Sequence, residues 1–281
     1  MRRARPGERV KIEAFLRRHL VRAMFPLANL VRHGMAGAHP RAMRFWLSET
    51  DGEVSDVLGM TEESAVLPIL PSHRYAEAAA TLAGAEVMAV IGPTEQAAGM
   101  RAALGLDNAP TMLASDEPHF DLALERLVVP EGPGRLRPLA EAPRDTFIEW
   151  MTDYNRTTLG MDREDARDEA EQRHVAYTES GSHVMLMDGD VPLAMTGFNA
   201  TLPDIVQVGG VYTPPASRGR HHARRAVALH LAQARDRGAS RATLFAANAP
   251  AVRAYTALGF EQIGHYTLCL FKGHQPVRPV G

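Results

Sequence analysis

Apolar positions switch between helical and strand spacing along the whole chain. Between residues 8 and 19, Val10, Ile12, Phe15 and Leu16 fall on one helical face with Arg17 and Arg18 off it, which predicts a helix. A short helix is expected at 27–32 and a strand at 43–48. Asp51-Gly52 has the chemistry of a hairpin turn and leads back into a strand at 54–58. A third strand is expected at 65–70. An alanine-rich helix follows at 75–82, then a buried strand at 86–91 ending at Gly92-Pro93, and a helix at 94–104.

Pro130, Gly132, Pro133 and Gly134 then cluster between two patterned regions, which places a domain boundary near residue 130. The expected organisation is a mixed α/β lobe over 1–130 and a second domain over 131–281. The second half opens with a short strand at 135–139. Pro143 starts a helix carrying Phe147, Ile148, Met151 and Tyr154, and a charged helix follows at 161–177. A hairpin comes next, 182–187 and 192–199 around Asp188-Gly189. A strand at 205–213, a strong helix at 223–237, a strand at 241–246, a helix at 251–258 and a strand at 266–271 complete the order β-α-α-β-β-β-α-β-α-β.

Composition narrows the class. A chain of 281 residues can hold two cored domains without disulfides or metals. A net charge of −2 supplies no global field to draw it to nucleic acid or membrane. No apolar run reaches the length of a membrane span, and the basic start around Arg2, Arg3 and Arg5 is not followed by a signal-peptide core, because Arg17, Arg18, Arg22 and Pro26 interrupt it. The single cysteine, Cys269, lies in a strand pattern and reads as a packed thiol, so a reducing cytoplasm is the expected location.

The chemistry concentrates in one stretch. A strand ending Val211-Tyr212-Thr213-Pro214-Pro215 is followed by Arg218-Gly219-Arg220-His221-His222-Ala223-Arg224 at the start of an apolar helix. Strand, tight loop and helix start make an anion site, since the first helical turn offers unpaired N–H groups and the positive end of the dipole. Gly219 permits close backbone approach, and Arg218, Arg220 and Arg224 bring charge that pairs with phosphates. Read alone, the same residues also describe an ordinary βα turn with a solvated basic helix start. Downstream come Asn248, a helix N-cap residue, then Ala251, Tyr255 and a terminating Leu258-Gly259-Phe260. His221-His222 does not read as a metal site, because neighbouring helical residues point about 100° apart while chelating pairs favour a spacing of four.

Together the two blocks resemble the GNAT superfamily of acetyltransferases. The first is similar to its acyl-CoA pyrophosphate motif, Arg/Gln-x-x-Gly-x-Gly/Ala after Val-x-x-Pro-Pro. The second is similar to its Asn-x-x-Ala-x-x-x-Tyr-x-x-x-Gly-Phe block. Arg218 and Ala223 match the outer motif positions, but the central glycine is replaced by His221. The resemblance implies a GNAT α/β (α+β) fold, a mixed central sheet flanked by helices, probed most sharply over the C-terminal half. It implies acetyl-CoA as co-substrate, with no metal, and a primary amine of a small molecule or peptide as acceptor. Val211, Tyr212 and Thr213 would pair with the pantetheine arm; Arg218, Gly219, Arg220, His221, His222, Ala223 and Arg224 would meet the pyrophosphate; Asn248 and Ala251 would line the other side. Tyr255 would protonate the departing thiolate.

Many family members carry a glutamate base on the strand that here holds Gln207, which cannot act as one. Asp204, Glu149, Asp153 or an ordered water relay are the candidates. Arg101-Ala102-Ala103-Leu104-Gly105-Leu106 faintly repeats the 253–260 block, as a degenerate second GNAT-like lobe would. The alternative reading is a non-catalytic acyl-CoA sensor or interaction module. Neither the acceptor nor the oligomeric state is legible in the sequence.

Overall fold

The structure is a computed structural model and describes residues 1–280. It divides into two compact units, one formed by Met1–Glu117 with the chain from Gly264 on, the other by Pro118–Ile263. The first unit contains β1 (Arg2–Arg3), α1 (Arg9–Arg18), α2 (Met24–His33), β2 (Met43–Thr50), β3 (Glu53–Thr61), β4 (Ala65–Ile69), α3 (Tyr75–Ala80), β5 (Glu86–Pro93) and α4 (Thr94–Ala103). Next in the chain is a long strand, β6 (Thr111–Ala123). The second unit contains β7 (Arg135–Pro138), α5 (Arg144–Leu159), α6 (Arg163–Ser180), β8 (His183–Asp188), β9 (Val191–Thr201), β10 (Ile205–Tyr212), α7 (His222–Asp236), β11 (Arg241–Phe245) and α8 (Ala249–Thr256). The last strand is β12 (Glu261–Pro276).

Each half of the chain runs β-α-α-β-β-β-α-β-α-β. The strand order is β1-β2-β3-β4-β5-β12 in the first unit and β7-β8-β9-β10-β11-β6 in the second. Each mixed sheet has one parallel pair among antiparallel neighbours, β4 with β5 and β10 with β11. The sixth place in each sheet is filled by the strand that ends the other half of the sequence. The units therefore part at Glu117, ahead of the Pro/Gly segment near residue 130 that suggests the boundary in sequence. From Pro118 on, β6 is already paired with β11, His119 opposite Phe245 through Ala123 opposite Arg241. Arg241 grips Asp121 with two nitrogens, Nε at 3.1 Å and Nη2 at 2.5 Å, across that pair.

Local signals set the element ends. Asp51 and Gly52 both have positive φ, 54° and 83°, the twist that a two-residue hairpin needs. Asp162 caps α6 by accepting from the N–H groups of Glu164 and Asp165, and Gly160 ends α5 in the left-handed region. The faint repeat noted in sequence falls at equivalent places, because Gly105 after α4 and Gly259 after α8 are both left-handed, φ 71° and 99°.

The sheet of the second unit buries both faces. One face packs Met185, Met187, Met195 and Tyr212 against Phe147, Ile148 and Met151 of α5. The other packs Val206, Val208 and Leu244 against Val227 and Leu231 of α7, Tyr255 of α8 and Leu258 just after it. Each such side chain removed from water stabilises the unit by about 1.5–3 kcal/mol, which is why the strands read as apolar runs. Cys269 is fully buried, and burial pushes its thiol up. Among the described residues no helix is long and apolar enough to cross a membrane.

Candidate functional site

The parallel pairing of β10 with β11 covers only three residues, Ile205 to Gln207 against Arg241 to Thr243. Beyond Gln207, β10 continues to Tyr212 paired with β9 alone. From Val208 onward the edge that faced β11 therefore offers main-chain groups with no strand partner on that side. An extended ligand can take their place as an added strand would. A bulge marks the departure: register runs from Gly209↔Gly197 directly to Tyr212↔Met195, and Gly210 has φ 60°.

The bulge also fixes which way the next residues face. Val211 packs into the cluster shared by Val208, Ala251 and Tyr255. Tyr212 turns to the opposite face, against α5, and donates its hydroxyl to Asp153 Oδ2 over 2.6 Å. Burial, then this bond, pushes the Tyr212 phenol above its usual range. Thr213 leaves its Oγ1 buried without a partner.

Pro214 and Pro215 then turn the chain. Arg218 folds back, its Nε donating to Thr213 O over 3.1 Å and its guanidinium standing 6.0 Å from the centre of the Tyr212 ring. Gly219 is left-handed, φ 77°, with nothing within 4 Å of where a Cβ would stand. His221, where the resemblance expects glycine, is also left-handed at φ 64°, ψ 16°, immediately before α7. The backbone thus keeps the shape that glycine would give it. Histidine is among the few L-residues enriched in that region. The side chain is exposed, while that of its neighbour His222 is buried and its imidazole pushed down by burial. The first N–H groups of α7 have no helical acceptor. Arg220 is exposed beside them, and Arg224 has a buried Nε without a partner. Orphaned donors at Thr213 and Arg224, an open cradle at Gly219 and three arginines fit a pyrophosphate with a pantetheine arm.

Across from the loop, Asn248 caps α8, its Oδ1 accepting from Ala251 N over 3.0 Å. That bond uses one acceptor and the Ala251 N–H, leaving the Asn248 amide nitrogen for a ligand. Tyr255 is 7% exposed, edge-on to Phe260 with ring centres 6.1 Å apart. The structure therefore gathers Val211, Ala251 and Tyr255 in one cluster beside the open strand edge.

The candidate bases separate. Asp204 stands before β10, at the far end of the strand from Val211. At about 3.3 Å per residue it is about 13 Å along the strand from Val208, where the open edge begins. Asp153 is engaged by Tyr212, and Glu149 lies one turn away on the same helix, exposed. Gln207 is buried, donating from Nε2 to Val208 O over 2.7 Å. Three residues escape sequence reasoning. Asn199 lies over Gly209, so closely that no side chain fits there. His183 reaches the bulge at Gly210. Arg225 ties α7 to the Pro/Gly segment through the carbonyls of Pro130, Pro133 and Gly134. The doublet Gly209-Gly210 inside a strand is the one sequence signal that points to such close approach.

Residues 144–260 match the sequence profile of the acetyltransferase (GNAT) family. No curated protein matches the chain. Among solved structures, the chain is similar to a GCN5-related N-acetyltransferase from Sphaerobacter thermophilus, at 13% identity and a TM-score of 0.59 over 99% of this chain and 95% of that one. It is similar to an acetyltransferase of the GNAT family from Colwellia psychrerythraea, at 12% identity and a TM-score of 0.52 over 92% and 96%. A tandem GNAT protein from the clavulanic acid biosynthesis pathway shares 16% identity and a TM-score of 0.51 over 100% and 99%. At these identities the likeness is one of fold.

Proposed function

From the premise that the chain is an acyltransferase whose residues 144–260 belong to the GNAT acetyltransferase family, we propose that it moves an acetyl group from acetyl-CoA to a primary amine by direct transfer in a ternary complex. The observation that carries the reading is the open edge of β10 running into a left-handed loop and the start of α7. Acetyl-CoA supplies an activated acyl carbon and a thiolate leaving group. The main chain of Val211, Tyr212 and Thr213 aligns the pantetheine arm, and an N–H of this edge polarises the thioester carbonyl. Arg218, Arg220 and Arg224 neutralise the pyrophosphate against the N–H groups of the helix start. His221 and His222 shape that turn rather than hold a metal. Tyr255 donates a proton to the thiolate as the carbon–sulfur bond breaks and the amine nitrogen bonds to the acyl carbon.

The acceptor is a small-molecule or peptide amine. The first unit is a second copy of the element order without a matching phosphate loop. Its α3 has only six residues, and the Ser72 N–H in the preceding loop is taken by Asp56 Oδ1 at 2.9 Å.

The test is release of free thiol from acetyl-CoA across a panel of amines, with Tyr255→Phe beside the parent. The reading expects amine-dependent thiol release that falls about tenfold or more in the variant while acetyl-CoA binding persists. Unchanged turnover removes Tyr255 from the reaction. Acetyl-CoA binding without turnover on any amine would favour a sensor.

A further inference from the structure

His183, the first residue of β8, is only 1% exposed. Its ring stacks on Tyr177 of α6, centres 3.5 Å apart and planes 5° from parallel. It lies across its register partner on β9, Gly197, where any side chain would collide with it. Beyond Gly197 it reaches β10, and a Cβ at Gly210 would stand 2.8 Å from Nε2. Two glycines therefore clear a path that carries one imidazole nitrogen to the bulge within the open edge of β10.

The other nitrogen faces the surface. Nδ1 is 2.9 Å from Ser182 Oγ, which is 2.9 Å from Ser180 Oγ at the exposed end of α6. A hydrogen-bonded line thus runs inward from solvent and stops at Nε2, which is buried with no partner. Burial, with His230 and Arg173 nearby, pushes the imidazole down to about 3, so the ring is neutral near pH 7. A neutral ring bonded through Nδ1–H to Ser182 presents a lone pair at Nε2.

We propose that His183 is the proton exit of the transfer site: its Nε2 takes the proton released by the attacking amine, and its Nδ1 passes a proton through Ser182 and Ser180 to solvent. The inference rests on the acetyl-transfer reading. As the nitrogen–carbon bond forms and the carbon–sulfur bond breaks, one proton leaves the amine for water along this line and another reaches the thiolate from Tyr255, which recovers it from water. Exchange with water then restores the Nδ1–H tautomer. No imidazolium accumulates, so the low basicity of the buried ring does not stop a relay that gains and loses protons together. Gln207 lacks this capacity, and Asp153 is held by Tyr212.

The test uses the full chain, acetyl-CoA, and the amine that gives the fastest thiol release. Ser182→Ala breaks the line between His183 and Ser180, and His183→Gln keeps polarity but cannot exchange tautomers. The proposal expects the acetyl-CoA-induced thermal shift to be retained in both. It expects kcat to fall about tenfold or more in His183→Gln and several-fold in Ser182→Ala, with little change in KM for acetyl-CoA. In mixed light and heavy water, the dependence of kcat on deuterium fraction changes from curved to linear, because fewer protons move in the transition state. Wild-type kcat and curvature in a folded His183→Gln would leave His183 a packing group. If that variant does not fold, wild-type kcat in Ser182→Ala overturns the relay. Absence of an acetyl-CoA shift in the parent would instead overturn the acetyl-transfer reading, and this inference with it.

Discussion

The Tyr212 hydroxyl donates to Asp153 Oδ2 over 2.6 Å, so the last residue of β10 is fastened to α5. Burial and this bond keep the phenol protonated through the neutral range. Tyr212→Phe should therefore cost stability, about 1.5–3 kcal/mol for a lost bond to a charged acceptor, read from denaturant unfolding. It should not remove a titrating group from the pH–rate profile between pH 6 and 9. A lost limb in that range would give Tyr212 a role in proton transfer that the geometry does not.

His221 occupies a left-handed position in the loop before α7. If backbone shape rather than side chain makes the anion site, His221→Gly should leave acetyl-CoA affinity within about threefold, since the conformation is one glycine adopts freely. His221→Val should destabilise by about 1–2 kcal/mol and weaken binding, because a β-branched residue resists this region. Equal affinity in both variants, by titration calorimetry, would separate the loop from the cofactor.

Two buried imidazoles make stability pH-dependent. Burial comes first among the causes that push both His183 and His230 down to about 3 from 6.5. Below pH 6.5 the unfolded chain binds protons that the folded chain refuses. The contribution is thus complete above 6.5 and is lost as pH falls toward 3, at about 1.4 kcal/mol per pH unit for each ring. His230→Phe, which keeps a ring against Phe198, should lower the slope of stability between pH 6 and 5 by one ring's share, about 1 kcal/mol per pH unit. A slope equal to that of the parent, from urea unfolding, would contradict the burial argument.

Arg225 is a clamp rather than a phosphate ligand. It donates to Pro130 O, Pro133 O and Gly134 O, at 2.5, 3.0 and 3.5 Å. Arg225→Ala should cost about 2 kcal/mol and expose residues 130–134 to limited proteolysis, with acetyl-CoA affinity little changed. Lysine should restore little, since one ammonium cannot span three carbonyls. Resistance to protease equal to that of the parent would show that the segment is held by other contacts.

The order of elements in the second half was legible because periodicity and caps there agree. Pro143, Asp188-Gly189 and Gly259 mark ends that the structure keeps. Strand β6 was not legible. The sequence pattern assigns no element between residues 104 and 128, and only pairing with β11, which takes in His119 to Ala123, identifies that part as strand. The exchange of final strands was hidden for the same reason, since it depends on partners far apart in sequence. The phosphate loop could be read from residues 211–224 because it is local. His183 could not, because its path depends on Gly197 and Gly210, which lie on two other strands.

The central claim is that the open edge of β10 and the start of α7 hold a CoA thioester. Thermal unfolding with a millimolar excess of acetyl-CoA, with desulfo-CoA and ATP as controls, tests it most directly. At about 100 times the dissociation constant, a specific ligand adds about 2.7 kcal/mol, a rise of several degrees. The account predicts that rise with acetyl-CoA, a smaller one with ATP, and its loss when Arg218, Arg220 and Arg224 are replaced by alanine. No rise with any CoA species would contradict it.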